Sequence, residues 1–113
     1  MHELSIAQNI IDAVQTALPE HGLTRVERIG VRIGTLSSVD PEALTFGYQA
    51  LIAETSLAGS VLAIEMIETR ARCRRCREEF VATDFVFVCP KCESSQCDLV
   101  SGQELEIVYL EGE

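Results

Sequence analysis

The sequence predicts an α+β fold: a small three-stranded mixed sheet with two helices, plus an inserted zinc-ribbon-like module. Three observations carry that prediction. Two stretches repeat apolar residues every three or four positions, three stretches alternate apolar and polar residues, and two Cys-x-x-Cys pairs fall between the second and third alternating stretches. The 113 residues suit an α/β domain of residues 1–69 and 101–113 and a metal-stapled module, 70–100, too small to build its own core.

The first helical pattern follows Met1-His2-Glu3-Leu4, with Ser5 as candidate N-cap. Ile6, Ile10, Val14 and Leu18, flanked by Ala7, Ala13 and Ala17, form one apolar stripe, and Pro19 and Gly22 are stop signals. His21 falls in the exit loop and reads as a solvated residue. Residues 26–34 alternate, with Glu27, Ile29, Val31 and Ile33 on one side and Val26, Arg28, Gly30 and Arg32 on the other. The second helix has clear start signals: Asp40 as N-cap, Pro41 at the first position, Glu42 in the first turn, and Val39 placed to staple against Leu44. Its buried stripe is Leu44, Tyr48, Leu51 and Ile52.

Residues 61–70 read as the next strand, with Leu62, Ile64 and Met66 on one face. Residues 104–109 alternate again and return to the same sheet. Strand, helix, strand favours a right-handed crossover and a parallel pair, with both helices covering one face.

Between these strands lie Cys73, Cys76, Cys89 and Cys92. Two residues between paired cysteines let a tight turn aim both sulfurs at one point, about 2.3 Å from a zinc ion. One pair supplies half a tetrahedron, so two pairs close it. A set of four thiolates leaves no open position for chemistry, which makes the site structural. Iron in a rubredoxin-like site is the rival metal, and two disulfides or a redox pair are the metal-free alternative. Phe80-Val81 and residues 85–88 flank Ala82-Thr83-Asp84, a hairpin that would carry the second pair over the first. Such turns often place glycine after the second cysteine; here Arg77 and Glu93 stand there. Cys97 does not repeat the spacing and reads as a spare thiol beside the cluster.

The formal charge of −9 argues against nucleic acid as the main partner, because a phosphate backbone demands a basic surface. Six of the nine basic residues, Arg70, Arg72, Arg74, Arg75, Arg77 and Lys91, crowd the cysteine segment. They can offset the negative thiolate cluster and donate hydrogen bonds to sulfur, or form a docking face for an acidic partner. No apolar run approaches a membrane span and the first residues lack a signal-peptide pattern, so a cytoplasmic protein is expected. A phosphate-binding loop and a nucleophile paired with a base are both missing, so an enzyme is the least expected class.

His2 offers a second metal chemistry. The amine of Met1, the backbone amide of His2 and its imidazole can close adjacent chelate rings in a plane, and the amide of Glu3 can complete it. Such planar nitrogen coordination suits Ni(II) and Cu(II) better than zinc. The amine and imidazole titrate at about 7.7 to 8.0 and about 6.5, so binding should weaken on acidification.

Met1-His2-Glu3-Leu4-Ser5 heading a helix, Arg32-Ile33-Gly34 leading to Val39-Asp40-Pro41-Glu42, Cys89-Pro90-Lys91-Cys92, and Val100-Ser101-Gly102-Gln103-Glu104-Leu105 together resemble the HypA/HybF family of hydrogenase maturation factors. The resemblance spans essentially the whole chain. It implies a nickel metallochaperone, not an enzyme, with Ni(II) as transient cargo at Met1, His2 and Glu3, and Asp40 associated with that end. It also implies structural Zn(II) on Cys73, Cys76, Cys89 and Cys92. The implied partners are the GTPase HypB, the large subunit of [NiFe]-hydrogenase and, in some organisms, urease maturation proteins, with no nucleic acid and no membrane. The alternative reading is a zinc-ribbon module that binds protein or nucleic acid.

Overall fold

The computed structural model describes residues 3–83 and 85–113. Nine elements follow one another: α1 (Glu3–Glu20), β1 (Val26–Gly34), a 3-10 turn (Thr35–Ser37), α2 (Pro41–Ile52), β2 (Val61–Ile67), β3 (Arg70–Cys73), β4 (Glu79–Val81), β5 (Cys97–Ser101) and β6 (Leu105–Gly112). They form two three-stranded sheets, ordered β2-β1-β6 and β4-β3-β5. The expected α+β class is therefore the class found. The chain divides into two compact units, one of Met1–Arg32, Val39–Glu65 and Glu106–Glu113, the other of Ile33–Ser38 and Met66–Leu105.

In the first unit α1 buries Ile6, Ala7, Ile10, Ile11 and Val14. Each large aliphatic side chain so buried contributes about 1.5–3 kcal/mol. Ser5 is no cap: the helix already includes Glu3, whose charge suits the positive end of the helix dipole. Pro19 does not stop the helix either, because in the last turn it removes a single backbone donor. Gly22 does stop it. At φ +66° it lets Leu23 N–H reach Leu18 O at 2.9 Å and its own N–H reach Pro19 O at 3.3 Å, the paired bonds of a Schellman cap. His21 is exposed beside it.

Asp40 caps α2 as expected. Its Oδ1 accepts from Glu42 N–H at 2.9 Å and Ala43 N–H at 3.4 Å. The helix buries Leu44, Gly47, Tyr48 and Ile52, and it packs against α1. Gly47 is what allows this: a Cβ there would stand 3.0 Å from Leu4 Cδ2. The buried Tyr48 hydroxyl shares a 2.6 Å hydrogen bond with Ser60 Oγ, which in turn donates to Leu57 O at 2.6 Å. Burial, only partly countered by Ser60, raises the Tyr48 pKa.

Strand β1 departs from strict alternation: Val26 is buried and Glu27 exposed, the reverse of the expected sides, and Gly30 is buried too. Tyr109 of β6 lies over it, so close that a Cβ on Gly30 would fall 2.0 Å from the ring. β1 and β6 run antiparallel: Arg25 exchanges backbone bonds with Glu113, and Gly34 N–H donates to Glu104 O at 2.8 Å. Residues 61–70 are two strands rather than one. β2 ends at Ile67, and β3 begins at Arg70 in the other sheet. Met66 is accordingly 41% exposed instead of packed beside Leu62.

In the second unit β3 is central, pairing antiparallel with β4 (Ala71 opposite Phe80) and β5 (Cys73 opposite Cys97). The expected hairpin through 82–84 is not the one formed. β4 turns back on β3 through the first cysteine pair and β5 takes the other edge of β3, while the outer edge of β4 stays open: Val86 N–H closes a turn onto Thr83 O at 2.9 Å instead of entering a ladder. Phe85, Val86 and Val88 are exposed, and Phe85 sits at φ +62°. Asp84 lies outside the described residues.

Candidate metal centre

The two cysteine pairs are built alike. In the first, Cys73 N–H donates to Glu78 O and Arg77 N–H to Cys73 O, at 2.9 and 3.0 Å. In the second, Cys89 N–H donates to Ser94 O and Glu93 N–H to Cys89 O, both at 2.9 Å. Cys76 N–H and Cys92 N–H each reach the sulfur of the preceding cysteine at 3.5 Å. Arg77 and Glu93 adopt φ +69° and +62°, so the left-handed turn survives without glycine. Its cost for an L-residue is about 1–2 kcal/mol.

The turns face each other. Sγ of Cys73 stands 3.5 Å from that of Cys92, and Sγ of Cys76 stands 3.5 Å from that of Cys89. All four lie within 4.8 Å of one another. A tetrahedron with arms of about 2.3 Å has edges of about 3.8 Å, so the sulfurs fit one zinc-sized ion. All five cysteines are free thiols, which leaves the disulfide alternative without support.

Electrostatics point the same way. The Cys76 and Arg75 N–H groups, against burial, lower the Cys73 pKa to about 6. Cys89 is also lowered, because N–H donation from Cys92 and Lys91 outweighs burial. Cys92 goes up to about 12: the Ser94 N–H favours its thiolate, but contact with Cys73 and burial prevail. Cys76 is raised, the Glu78 N–H notwithstanding, by burial and contact with Cys89. Four adjacent thiolates repel one another, and a divalent cation between them removes that repulsion.

Cys97 stands opposite Cys73 in the β3–β5 ladder and packs against the same cluster, but it is outside the four-sulfur group. Burial and the neighbouring sulfurs raise its pKa. The arginines do not serve as sulfur donors among the described residues. Arg70 pairs with Glu68 and Glu79 at 2.8 and 3.2 Å, Arg72 with Glu79 at 3.7 Å, and Arg74 with Asp98 at 2.7 Å. The turns' own backbone N–H groups do that work.

Of the residues expected at the nickel end, Met1 and His2 lie outside the described residues. Glu3 and Asp40 are brought together: Asp40 N–H donates to Glu3 Oε2 at 3.2 Å. Donation from Glu3's own N–H and from Asp40 N–H lowers the Glu3 pKa. Spacing and pattern give no signal for this contact, which joins residues 37 positions apart; the family resemblance is what associates Asp40 with that end.

A small α+β chain in which four cysteine sulfurs converge on one point defines a metal-binding protein. Comparison with known proteins makes the class specific. The family described as "Hydrogenase/urease nickel incorporation, metallochaperone, hypA" matches residues 1–112. The hydrogenase maturation factor HypA of Desulfitobacterium hafniense is 34% identical over 113 residues, covering 100% of this chain and 99% of its own. That of Solidesulfovibrio magneticus is 40% identical, covering 98% of each. Among solved structures, a HypA solution structure at 25% identity has a TM-score of 0.72, covering 99% of this chain and 96% of that one. The nickel metallochaperone HypA of Helicobacter pylori, at 24% identity and TM-score 0.69 over 99% and 97% of the two chains, shares the fold. The chain belongs to the HypA family. It is a nickel-incorporation metallochaperone and hydrogenase maturation factor, not an enzyme. Among the described residues no helix is long and apolar enough to cross a membrane.

Proposed function

We propose that the protein binds Ni(II) as cargo at its amino terminus through Met1, His2 and Glu3, with Asp40 beside them, and hands it on with the GTPase HypB. The recipient in this reading is the large subunit of [NiFe]-hydrogenase; urease maturation proteins are a second destination. The work takes place in the cytoplasm. Residues 1–69 and 101–113 form the nickel-binding domain, and residues 70–100 form the zinc-binding domain.

The contact between Glu3 and Asp40 N–H carries the reading. It holds Glu3 at the start of α2 beside Asp40, which brings together two of the residues this reading assigns to the cargo site. Nitrogen ligands at a chain end can release the cargo, whereas a closed thiolate set holds its ion. Cys73, Cys76, Cys89 and Cys92 would hold Zn(II), which supplies charge neutralisation and a cross-link. Nitrogen sites prefer Cu(II) over Ni(II), so selectivity rests on metal availability and on the docked partner.

The test is nickel calorimetry on zinc-loaded protein with a native amino terminus, beside His2→Ala and a form extended by one residue before Met1. Loss of binding in both variants is expected. Unchanged binding in either would remove nickel from the amine and imidazole.

A further inference from the structure

Helix α2 carries an aromatic residue on the wrong side for a core. Leu44 and Tyr48 face inward, and Phe46, two residues from each, points out with 74% of its surface exposed. It borders a groove of about 400 Å³ lined by Pro41, Glu42, Thr45, Phe46, Gln49, Leu62 and Ile64. Apolar walls are one half of its character. The other is charge: Glu42 lines the groove, Asp40 precedes Pro41 in the chain, and Glu3 bonds Asp40 N–H, so three carboxylates gather at one end. The whole first unit holds eleven carboxylates against three arginines. Of those arginines, Arg25 and Arg32 are paired with glutamates of the same unit.

From this we propose that the groove between α2 and β2 is a docking site for a cationic, amphipathic segment of another protein, an apolar side chain flanked by lysine or arginine. Phe46 is the anchor, an aromatic face that receives both an aliphatic side chain and a guanidinium or ammonium group. Glu42 and its neighbours select the flanking cations and set the rate of encounter. A second copy of the chain is a poor occupant, because two surfaces of the same strong negative charge would meet. The site adjoins Glu3, so a docked partner would sit beside the amino-terminal end. The inference stands apart from the nickel reading, since the calorimetric test can fail with the groove unaffected.

The experiment uses zinc-loaded full-length protein and a fluorescein-labelled peptide of lysines in which leucine recurs at every third and fourth position, with a glutamate-for-lysine version as comparator. Anisotropy at low salt should show the lysine peptide bound. Phe46→Ser should weaken binding about tenfold, as expected for a central aromatic anchor. Glu42→Gln should weaken it about threefold and flatten its salt dependence. Val61→Ser, which removes an apolar side chain 47% exposed on β2 and outside the groove, should leave it unchanged. Equal binding by Phe46→Ser, equal binding of the glutamate peptide, or a wild-type dimer that Phe46→Ser dissociates would each overturn the proposal. Both groove side chains are exposed, so the variants should melt with the wild type.

Discussion

The two units are held together by different means. The first closes on aliphatic residues from helices and strands, with Ile10, Val14, Ile29, Leu44 and Tyr48 all buried. The cluster of the second is Ala71, Cys73, Phe80, Ala82 and Cys89. Two of those five are cysteines of the metal centre, and only Phe80 is large. One unit is stabilised by water leaving apolar surface; in the proposed reading the other depends on its cysteines closing on an ion, so each should respond to a perturbation that spares the other.

Metal removal should separate them most. Chelation, or Cys89→Ser, should forfeit binding energy on the order of 10 kcal/mol. Amide exchange should then show β3, β4 and β5 losing protection while α1 and α2 keep theirs. Simultaneous loss in both units would show that the first depends on the second. Next comes Gly34→Ala. Its Cβ would fall 2.0 Å from Gly102 O, a backbone atom that also accepts Leu36 N–H at 2.8 Å. Destabilisation above about 3 kcal/mol is expected by chemical denaturation, with metal stoichiometry retained in the folded fraction.

Tyr48→Phe probes the first unit alone. Ser60 Oγ keeps its bond to Leu57 O, so the loss should be about 1 kcal/mol. The raised pKa sets the pH dependence. The neutral phenol is the form the fold favours, so its contribution is complete below the unfolded value of about 10 and is lost as pH rises through the folded value. Wild-type melting temperature should therefore fall above about pH 10, and Tyr48→Phe should be spared that fall. The smallest effect belongs to Arg77→Gly. Relief of left-handed strain and the added flexibility of glycine in the unfolded chain nearly cancel, so stability should change by less than about 1 kcal/mol. Zinc titration of that variant should match wild type; a weaker site would mean that Arg77 supports the ligands directly.

The sequence was most legible where chemistry is local. Asp40-Pro41-Glu42 announces a helix start because capping involves neighbours only. Four cysteines at paired spacing announce a metal centre because each turn is made within six residues. Legibility failed where two local options compete. Phe85-Val86-Phe87-Val88 has strand-like residues, but the left-handed backbone of Phe85 and the turn bond from Val86 N–H to Thr83 O keep it from extending along the open edge of β4. Residues 61–70 read as one strand through Leu62, Ile64 and Met66, yet the chain changes sheets at Glu68 and Thr69, and the polar pair there is the one local mark of that change. Gly30 looked like the polar face of β1 because Tyr109, its cover, lies far along the chain. At the proposed nickel end, Glu3 and Asp40 each read sensibly alone; the family resemblance groups them, and the fold supplies the hydrogen bond that joins them.

The twin turns of the metal centre share the backbone bonds that close them while differing at every residue but the cysteines: Arg74-Arg75 and Arg77 in one, Pro90-Lys91 and Glu93 in the other. Recognition of the ion thus belongs to main chain and sulfur, and the side chains at the tips are spectators to it. The charge of that outer surface could change while the groups that would hold the ion stay as they are.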